Sequence, residues 1–229
     1  ALLTKFNRLP ISVRTSSVML GAWLFAFFGT LQSLIAYGPH VSGLKIWEAR
    51  RISLLQDTLT THFGRMQLVR IAALIVLAVV LRSSRWRVVR GYTVLVWLSI
   101  VVAIGTISFS GHAYSQSPLA LSVALDMVHF ATIGFWVGSV VLFAIDRGGW
   151  LSGDEHSTQS VNWFSRVASF AVPVMVATGV AQAWIMMHGI SGVTDTQYGR
   201  TLIVKTSLVA VVVALGGVAR KALRRSGPK

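Results

Sequence analysis

The chain has 229 residues, of which 54% are hydrophobic and only 12% are charged. A soluble domain carries about 25% charged residues, so this chain has too few to cover a water-exposed surface, and most of its surface must face lipid. Its net charge of +14 would suggest nucleic-acid binding in a soluble protein. Here the basic residues lie between apolar segments, where they orient helices and contact anionic headgroups, so we expect no nucleic-acid partner. The absence of cysteine excludes disulfides and thiolate metal ligands.

Six apolar segments approach the length that a membrane-spanning helix needs, which is about 20 residues. In chain order they are Val18–Tyr37, Met66–Leu81, Gly91–Ser110, Leu119–Ile145, Phe164–Met187 and Thr201–Ala219. Their spacing leaves no room for an attached soluble domain. The sequence therefore predicts an all-α fold, a polytopic membrane helix bundle of about six transmembrane helices that forms a single domain over residues 1–229.

Residues 41–61, between the first two predicted helices, form a longer and more polar connection. Apolar side chains, among them Trp47 and Ile52, are interspersed there with charged ones. We interpret this segment as an outer amphipathic loop whose helix lies on the membrane surface. A plain ordered loop is the alternative.

The basic residues predict the orientation of the bundle. They cluster in the N-terminal segment, in the second connection and at the C-terminus; examples are Lys5, Arg8, Arg14, Arg82, Arg85, Arg87, Arg90, Arg220, Lys221, Arg224 and Arg225. With six helices these three clusters lie on one side of the membrane, and an excess of Lys and Arg marks the cytoplasmic side. We therefore expect both termini to be cytoplasmic.

Short matches within the chain indicate an internal repeat. Residues 61–65, followed by Arg70, resemble residues 196–200, followed by Lys205. The two copies are four predicted helices apart and so point in the same direction across the membrane. The sequence therefore predicts a parallel internal repeat.

Histidine and methionine are concentrated toward the predicted outer face. The outer group comprises His40, His62, His112, His129, His188, Met66, Met127, Met186 and Met187, whereas His156 falls on the cytoplasmic side. Imidazole and thioether groups together suit copper, and the thioether favours the cuprous ion. Taken singly, a methionine can fill an apolar core and a histidine at a helix end can be merely interfacial.

Asp126 and His129 are the most informative polar pair, because they lie three residues apart on one face of a predicted membrane helix. An ionisable group within a membrane is costly and marks a pathway, a ligand site or an ion pair. One interpretation is a structural ion pair of Asp126 with Arg70 or Lys205. Another is that Asp126 orients His129 as a metal ligand.

An ordered set of motifs resembles the membrane domain of the copper resistance protein D (CopD) family. The motifs are Gly111-His112-Ala113, Asp126-x-x-His129, Trp136-x-Gly138, Phe164-Ser165-Arg166, and Thr196-x-Tyr198-Gly199-Arg200 with Lys205. They cover residues 110–220, and before that the resemblance depends mainly on the repeat. The resemblance implies an inner-membrane copper protein, often beside or fused to a periplasmic copper-binding CopC domain. It also implies one or two further helices that this chain lacks.

The first hypothesis is therefore copper transport or copper delivery at the bacterial inner membrane. His112 and His129 would bind the metal with Asp126, either as one site or as two stations on one path. Copper would be captured by His62, His188 and Met186. Arg70 and Lys205 would serve in a structural ion pair. Expected partners are the copper ion, the lipid bilayer and a CopC-like protein or a membrane complex. No catalytic motif is present, so we expect no enzyme.

Two other functions remain open from the sequence. One is a non-catalytic accessory subunit of a respiratory or cuproenzyme membrane complex. The other is a b-type haem electron-transfer protein, although only His129 lies well inside a predicted helix.

Overall fold

A computed structural model of the chain describes residues 13–45, 47, 51–82, 91–145, 155–187, 199–204, 206–211 and 214. Its regular elements are α1 (Val13–Val41), α2 (Ile52–Thr60), α3 (His62–Arg82), α4 (Tyr92–Ser110), a 3-10 helix (His112–Ser115), α5 (Leu119–Ile145) and α6 (Glu155–Met187). Residues 199–204 and 206–211 are also helical. Within these ranges there is no strand, which confirms the all-α prediction.

Five helices in the described part of the chain are long and apolar enough to cross a membrane. These spans are Ser16–Val41, His62–Arg82, Tyr92–Ser110, Leu119–Val141 and Ala168–Met186. They confirm a multi-pass helical membrane protein. The sixth predicted segment, Thr201–Ala219, is described only at residues 201–204, 206–211 and 214, which are helical, so the sixth span stays a prediction.

The distribution of side chains is that of a bundle in lipid. Phe25 on α1 is 84% exposed, whereas Gln67 on α3 is 1% exposed, and the buried set also includes Thr30, Thr106 and Ser108. Large apolar side chains facing outward suit hydrocarbon, while small polar side chains allow helices to approach closely and to bond across the interface. Among the described residues, small polar side chains are therefore buried beside apolar ones such as Leu74, while many large apolar side chains face outward.

Helix α3 packs against both α1 and α4. The indole Nε1 of Trp23 on α1 donates to the carbonyl oxygen of Leu74 on α3 at 2.9 Å. The amide of Gln67 donates to the hydroxyl of Ser33 at 3.4 Å. These bonds join α1 to α3 through side chains that are shielded from water, where an unsatisfied donor would be costly.

A tight corner joins α2 to α3. The hydroxyl of Thr61 accepts a hydrogen bond from the backbone N–H of Gly64 at 3.0 Å, which satisfies one free donor in the first turn of α3. Gly64 is buried against Thr58, and a methyl group at this position would collide with the Thr58 carbonyl. Glycine is thus required for the close approach of α2 and α3. In the predicted second repeat, the corresponding Gly199 is also buried.

The predicted outer loop over residues 41–61 contains α2. Trp47 and Ile52 are exposed there, while Thr58 is buried against the bundle. Whether α2 lies on the outer membrane surface stays a prediction.

The chain divides into two compact units, Ala1–Thr178 and Gly179–Lys229. The first contains α1 to α5 and most of α6. The second contains the end of α6 and the helical residues 199–204 and 206–211. The single domain over residues 1–229 and the parallel repeat stay predictions.

Candidate metal-binding site

The imidazole of His129 lies between α5 and α6 and is half-buried. Its Nδ1 atom is 3.0 Å from the backbone carbonyl oxygen of Met175 and 3.0 Å from the hydroxyl oxygen of Thr178. A carbonyl oxygen can only accept, so Nδ1 carries the proton and donates it. In the neutral ring, Nε2 then holds the lone pair that a metal ion can bind. Within the described residues Nε2 has no hydrogen-bond partner.

The two acceptors are held by the backbone of α6. The Thr178 hydroxyl lies 2.8 Å from the carbonyl of Val174 in its own helix, so it can donate there and still accept from His129. Met175 is 4% exposed and Thr178 is 8% exposed, which keeps competing water away from both acceptors. The orientation of the His129 ring is therefore set by α6, across the helix interface.

Asp126 lies one helical turn before His129 and is half-buried. Among the described residues its carboxylate forms no ion pair with Arg70 and no hydrogen bond. The adjacent Met127 faces α4, since a methyl group at Gly105 would lie 3.4 Å from the Met127 terminal carbon. Asp126 is thus a carboxylate near His129 without a described cationic partner.

Arg70 is bonded to hydroxyl groups of α4. Its Nε donates to Thr106 at 2.9 Å, and its Nη2 donates to Ser110 at 3.1 Å. Ser110 ends α4, where the helix dipole favours a positive charge. The structure thus accounts for Arg70 without Asp126. Lys205 lies outside the described residues, so its predicted ion pair stays a prediction.

His112 and His62 lie at one corner of the bundle. His112 is exposed and begins the 3-10 helix after α4. The Nε2 of His62 donates to the carbonyl of Phe109 at 3.0 Å, and its ring stacks on Tyr114 at 4.3 Å between centroids. His62 therefore has the opposite tautomer to His129, with its lone pair on Nδ1.

The structure does not gather His112, Asp126 and His129 into one cluster. In the described ranges there is no group of three or more His, Asp or Glu side chains that could hold a metal ion. His112 lies at the corner with His62, and His129 lies at the α5–α6 interface. Of the two arrangements predicted from sequence, the structure is compatible with separate stations.

The remaining predicted residues give less. Met186 is half-buried in α6 and belongs to the second compact unit. His188 lies outside the described residues.

The sequence did not predict the part played by Thr178 and the Met175 carbonyl. A threonine in an apolar helix and a backbone oxygen have no sequence pattern that indicates a contact with histidine.

These features define a multi-pass α-helical membrane protein with a half-buried histidine held between two of its helices. The family profile described as "Copper resistance protein D-like, N-terminal domain" matches residues 1–120, more than half of the chain. The profile "Copper resistance protein D" matches residues 158–227. The chain belongs to the copper resistance protein D family, which confirms the resemblance and extends it to the first half of the sequence.

Two curated relatives agree with this assignment. The chain is 27% identical over 196 residues to Copper resistance protein D of Pseudomonas syringae pv. tomato, covering 82% of this chain and 63% of the relative. It is 26% identical over 113 residues to Copper transport protein CutJ of Bacillus subtilis (strain 168), covering 48% and 21%. The chain thus spans less than two thirds of either relative. No solved structure gives a significant match.

Asp126 and His129 lie between the ranges that the two family profiles match, residues 1–120 and 158–227. The family profiles therefore say nothing about these two residues. Their candidacy depends on the chemistry and geometry of this chain.

Proposed function

We propose that this protein transports or delivers copper at the bacterial inner membrane. Membership of the copper resistance protein D family and the names of the two relatives support copper as the metal and transport or resistance as the process. The observation that supports a particular residue is the hydrogen bonding of His129. Its Nδ1 donates a proton to acceptors on α6, so Nε2 keeps its lone pair. A neutral imidazole nitrogen of this kind is a good copper ligand.

The proposed path has at least two stations. Copper would first meet the exposed His112 and the half-buried His62, whose Nδ1 can bind a metal ion. It would then pass to Nε2 of His129 within the bundle. The carboxylate of Asp126, one turn away, would offset the cost of bringing a cation into a low-dielectric interior.

The proposed role is that of a carrier rather than an enzyme. Copper is its cargo, received at the periplasmic face and bound in turn by neutral imidazole groups. A CopC-like periplasmic protein is the partner we propose as the source of copper. His188 and Met186 remain candidates for further capture sites.

The test is copper retention by the full chain purified in mild detergent. We would load the protein with Cu(I) under reducing conditions, remove excess metal and measure copper per chain by elemental analysis. His129→Ala should lower copper retention by at least about tenfold. Removing only a hydrogen-bond partner of a metal-binding histidine already lowers metal affinity by about that factor, and this variant removes the histidine itself. His156→Ala, on the predicted cytoplasmic side, is the matched control and should retain copper like the parent.

Copper sensitivity of cells expressing the same variants tests the function in the membrane. His129→Ala should abolish the copper-dependent phenotype, and His156→Ala should preserve it. If His129→Ala behaves like the parent in both assays, the proposed role of His129 in copper handling is wrong, and an accessory-subunit function becomes the better hypothesis.

A further inference from the structure

We propose that Thr178 is a positioning residue that, together with the Met175 carbonyl, holds His129 in the tautomer that presents Nε2 to copper. This inference rests on the proposed function, since it takes copper as the ion that Nε2 binds. Thr178 would not contact the metal. It would act through the ring of His129.

The geometry gives the Nδ1 proton two acceptors on one helix. The Met175 carbonyl and the Thr178 hydroxyl are each 3.0 Å from Nδ1. One acceptor would restrain the proton but leave the ring free to tilt about the hydrogen bond. Two acceptors at the same distance restrain the tilt of the ring more than one acceptor would.

The Thr178 hydroxyl is itself oriented by its own helix. Its oxygen lies 2.8 Å from the Val174 carbonyl and 3.0 Å from the Met175 carbonyl, and donation to either backbone acceptor leaves the hydroxyl a lone pair to accept from His129. Thr178 is 8% exposed, so water has little access to replace it. Valine has nearly the same shape without the acceptor, whereas serine keeps the acceptor and loses only a methyl group.

The tautomer decides whether the outward nitrogen can bind a metal ion. If the proton moves to Nε2, that atom becomes a donor and no longer has an in-plane lone pair. A hydrogen bond donated by Nδ1–H therefore favours, before the metal arrives, the tautomer whose Nε2 can bind copper. In a low-dielectric interior such a hydrogen bond has more influence than in water.

No other side chain in the described part of the chain has this role at His129. Thr132, one turn further along α5, bonds its hydroxyl to the carbonyls of Val128 and His129 in its own helix. Thr132 is thus the matched control: the same residue type near the same histidine, without a bond to the ring.

The first measurement reads the tautomer in the metal-free protein. The full chain, with ¹⁵N-labelled histidine side chains, would be compared with Thr178→Val, Thr178→Ser and Thr132→Val, using His129→Gln to assign the His129 signals. We expect a protonated Nδ1 and an unprotonated Nε2 in the parent. Thr178→Val should shift both signals toward a mixture of tautomers, while Thr178→Ser and Thr132→Val should not.

A parent spectrum with the proton on Nε2 would overturn the inference. So would a Thr178→Val spectrum identical to that of the parent. Since these spectra require no copper, they test the positioning role independently of the proposed function. If the valine variant fails to fold, Thr178→Ala removes the same acceptor, and a parent-like spectrum of that variant would overturn the inference.

The second measurement is Cu(I) retention by the same variants. Thr178→Val should retain copper about tenfold less tightly, the lower end of the effect of removing a partner of a metal-bound histidine, because the Met175 carbonyl remains. Thr178→Ser and Thr132→Val should match the parent. If Thr178→Val retains copper normally while His129→Ala loses it, the positioning role is wrong and the proposed function stands. If His129→Ala itself retains copper normally, the proposed role of His129 and the copper part of this inference fail together.

Discussion

His62 donates its Nε2 proton to the backbone carbonyl of Phe109 at 3.0 Å. This bond connects the first turn of α3 to the last turn of α4. Arg70 bonds to Ser110 in the same last turn. His62 thus satisfies one of the carbonyl groups at the end of α4 that lack partners within the helix, and Arg70 places a positive charge where these carbonyls carry a partial negative charge.

Replacing His62 by alanine should destabilise the bundle. The variant loses the hydrogen bond to Phe109 and the ring stack on Tyr114, which together contribute about 1–2 kcal/mol. Thermal unfolding of the detergent-solubilised protein measures the change. His40→Ala, at an exposed position near the end of α1, is the control and should leave the midpoint unchanged. Equal midpoints for the two variants would contradict the structural role of His62.

Arg70 and Thr106 should be energetically coupled. A double-mutant cycle with Arg70→Met and Thr106→Val should give a coupling free energy of about 1 kcal/mol, as for a charge-assisted hydrogen bond in a partly shielded site. The same cycle with Arg65→Met should be additive, since Arg65 is exposed and its described bond is to Thr61. Additivity in both cycles would contradict a stabilising hydrogen bond between Arg70 and Thr106.

Alanine at Gly64 should be strongly unfavourable, because its methyl group meets the Thr58 backbone. Overpacking of this kind costs about 1–3 kcal/mol in the free energy of unfolding. Gly29→Ala is the matched control: a methyl group there meets no neighbour within 4 Å, so the helix should tolerate it or gain stability. Chemical denaturation of both variants gives the comparison, and similar stabilities would contradict the tight α2–α3 corner.

Asp126→Asn separates a copper role from an ion-pair role. If the carboxylate balances the charge of copper at His129, the variant should retain less Cu(I) while unfolding near the parent temperature. An ion pair with Lys205 would instead make the variant lose stability, because the lysine would be left as an unpaired charge in the membrane. Retention and unfolding measured on the same preparation distinguish the two, and a change in neither would exclude both roles.

The orientation of the chain can be tested with reporter fusions. Fusions at Lys229 and near Ser115 should report opposite sides of the membrane, with Lys229 cytoplasmic, because the basic clusters mark that side. The same location for both fusions would exclude the six-helix arrangement.

The absorption spectrum of the purified protein tests the haem alternative. We expect no Soret band, and a Soret band would favour the b-type haem protein over the copper carrier.

The sequence by itself determined that this is an α-helical membrane protein, and it determined the approximate positions of most of its helices. Continuous apolar segments can satisfy backbone polar groups in lipid only as helices or closed barrels, so composition and segment length suffice for the class. The predicted Leu119–Ile145 has the bounds of α5. Helix α3 begins at His62 rather than at the predicted Met66, because its first turn is polar and is capped by Thr61. Hydropathy alone does not detect such a start.

Only the tertiary structure decided which polar side chains meet. Arg70 bonds to Thr106, 36 residues away, and His129 contacts Thr178, 49 residues away. Which faces of α3 and α4, and of α5 and α6, turn toward each other depends on packing, and helices that are apolar on nearly every face carry no periodic signal of it. The sequence could therefore identify His129 as a candidate ligand, but the hydrogen bonds that leave its Nε2 free follow from the contact with α6.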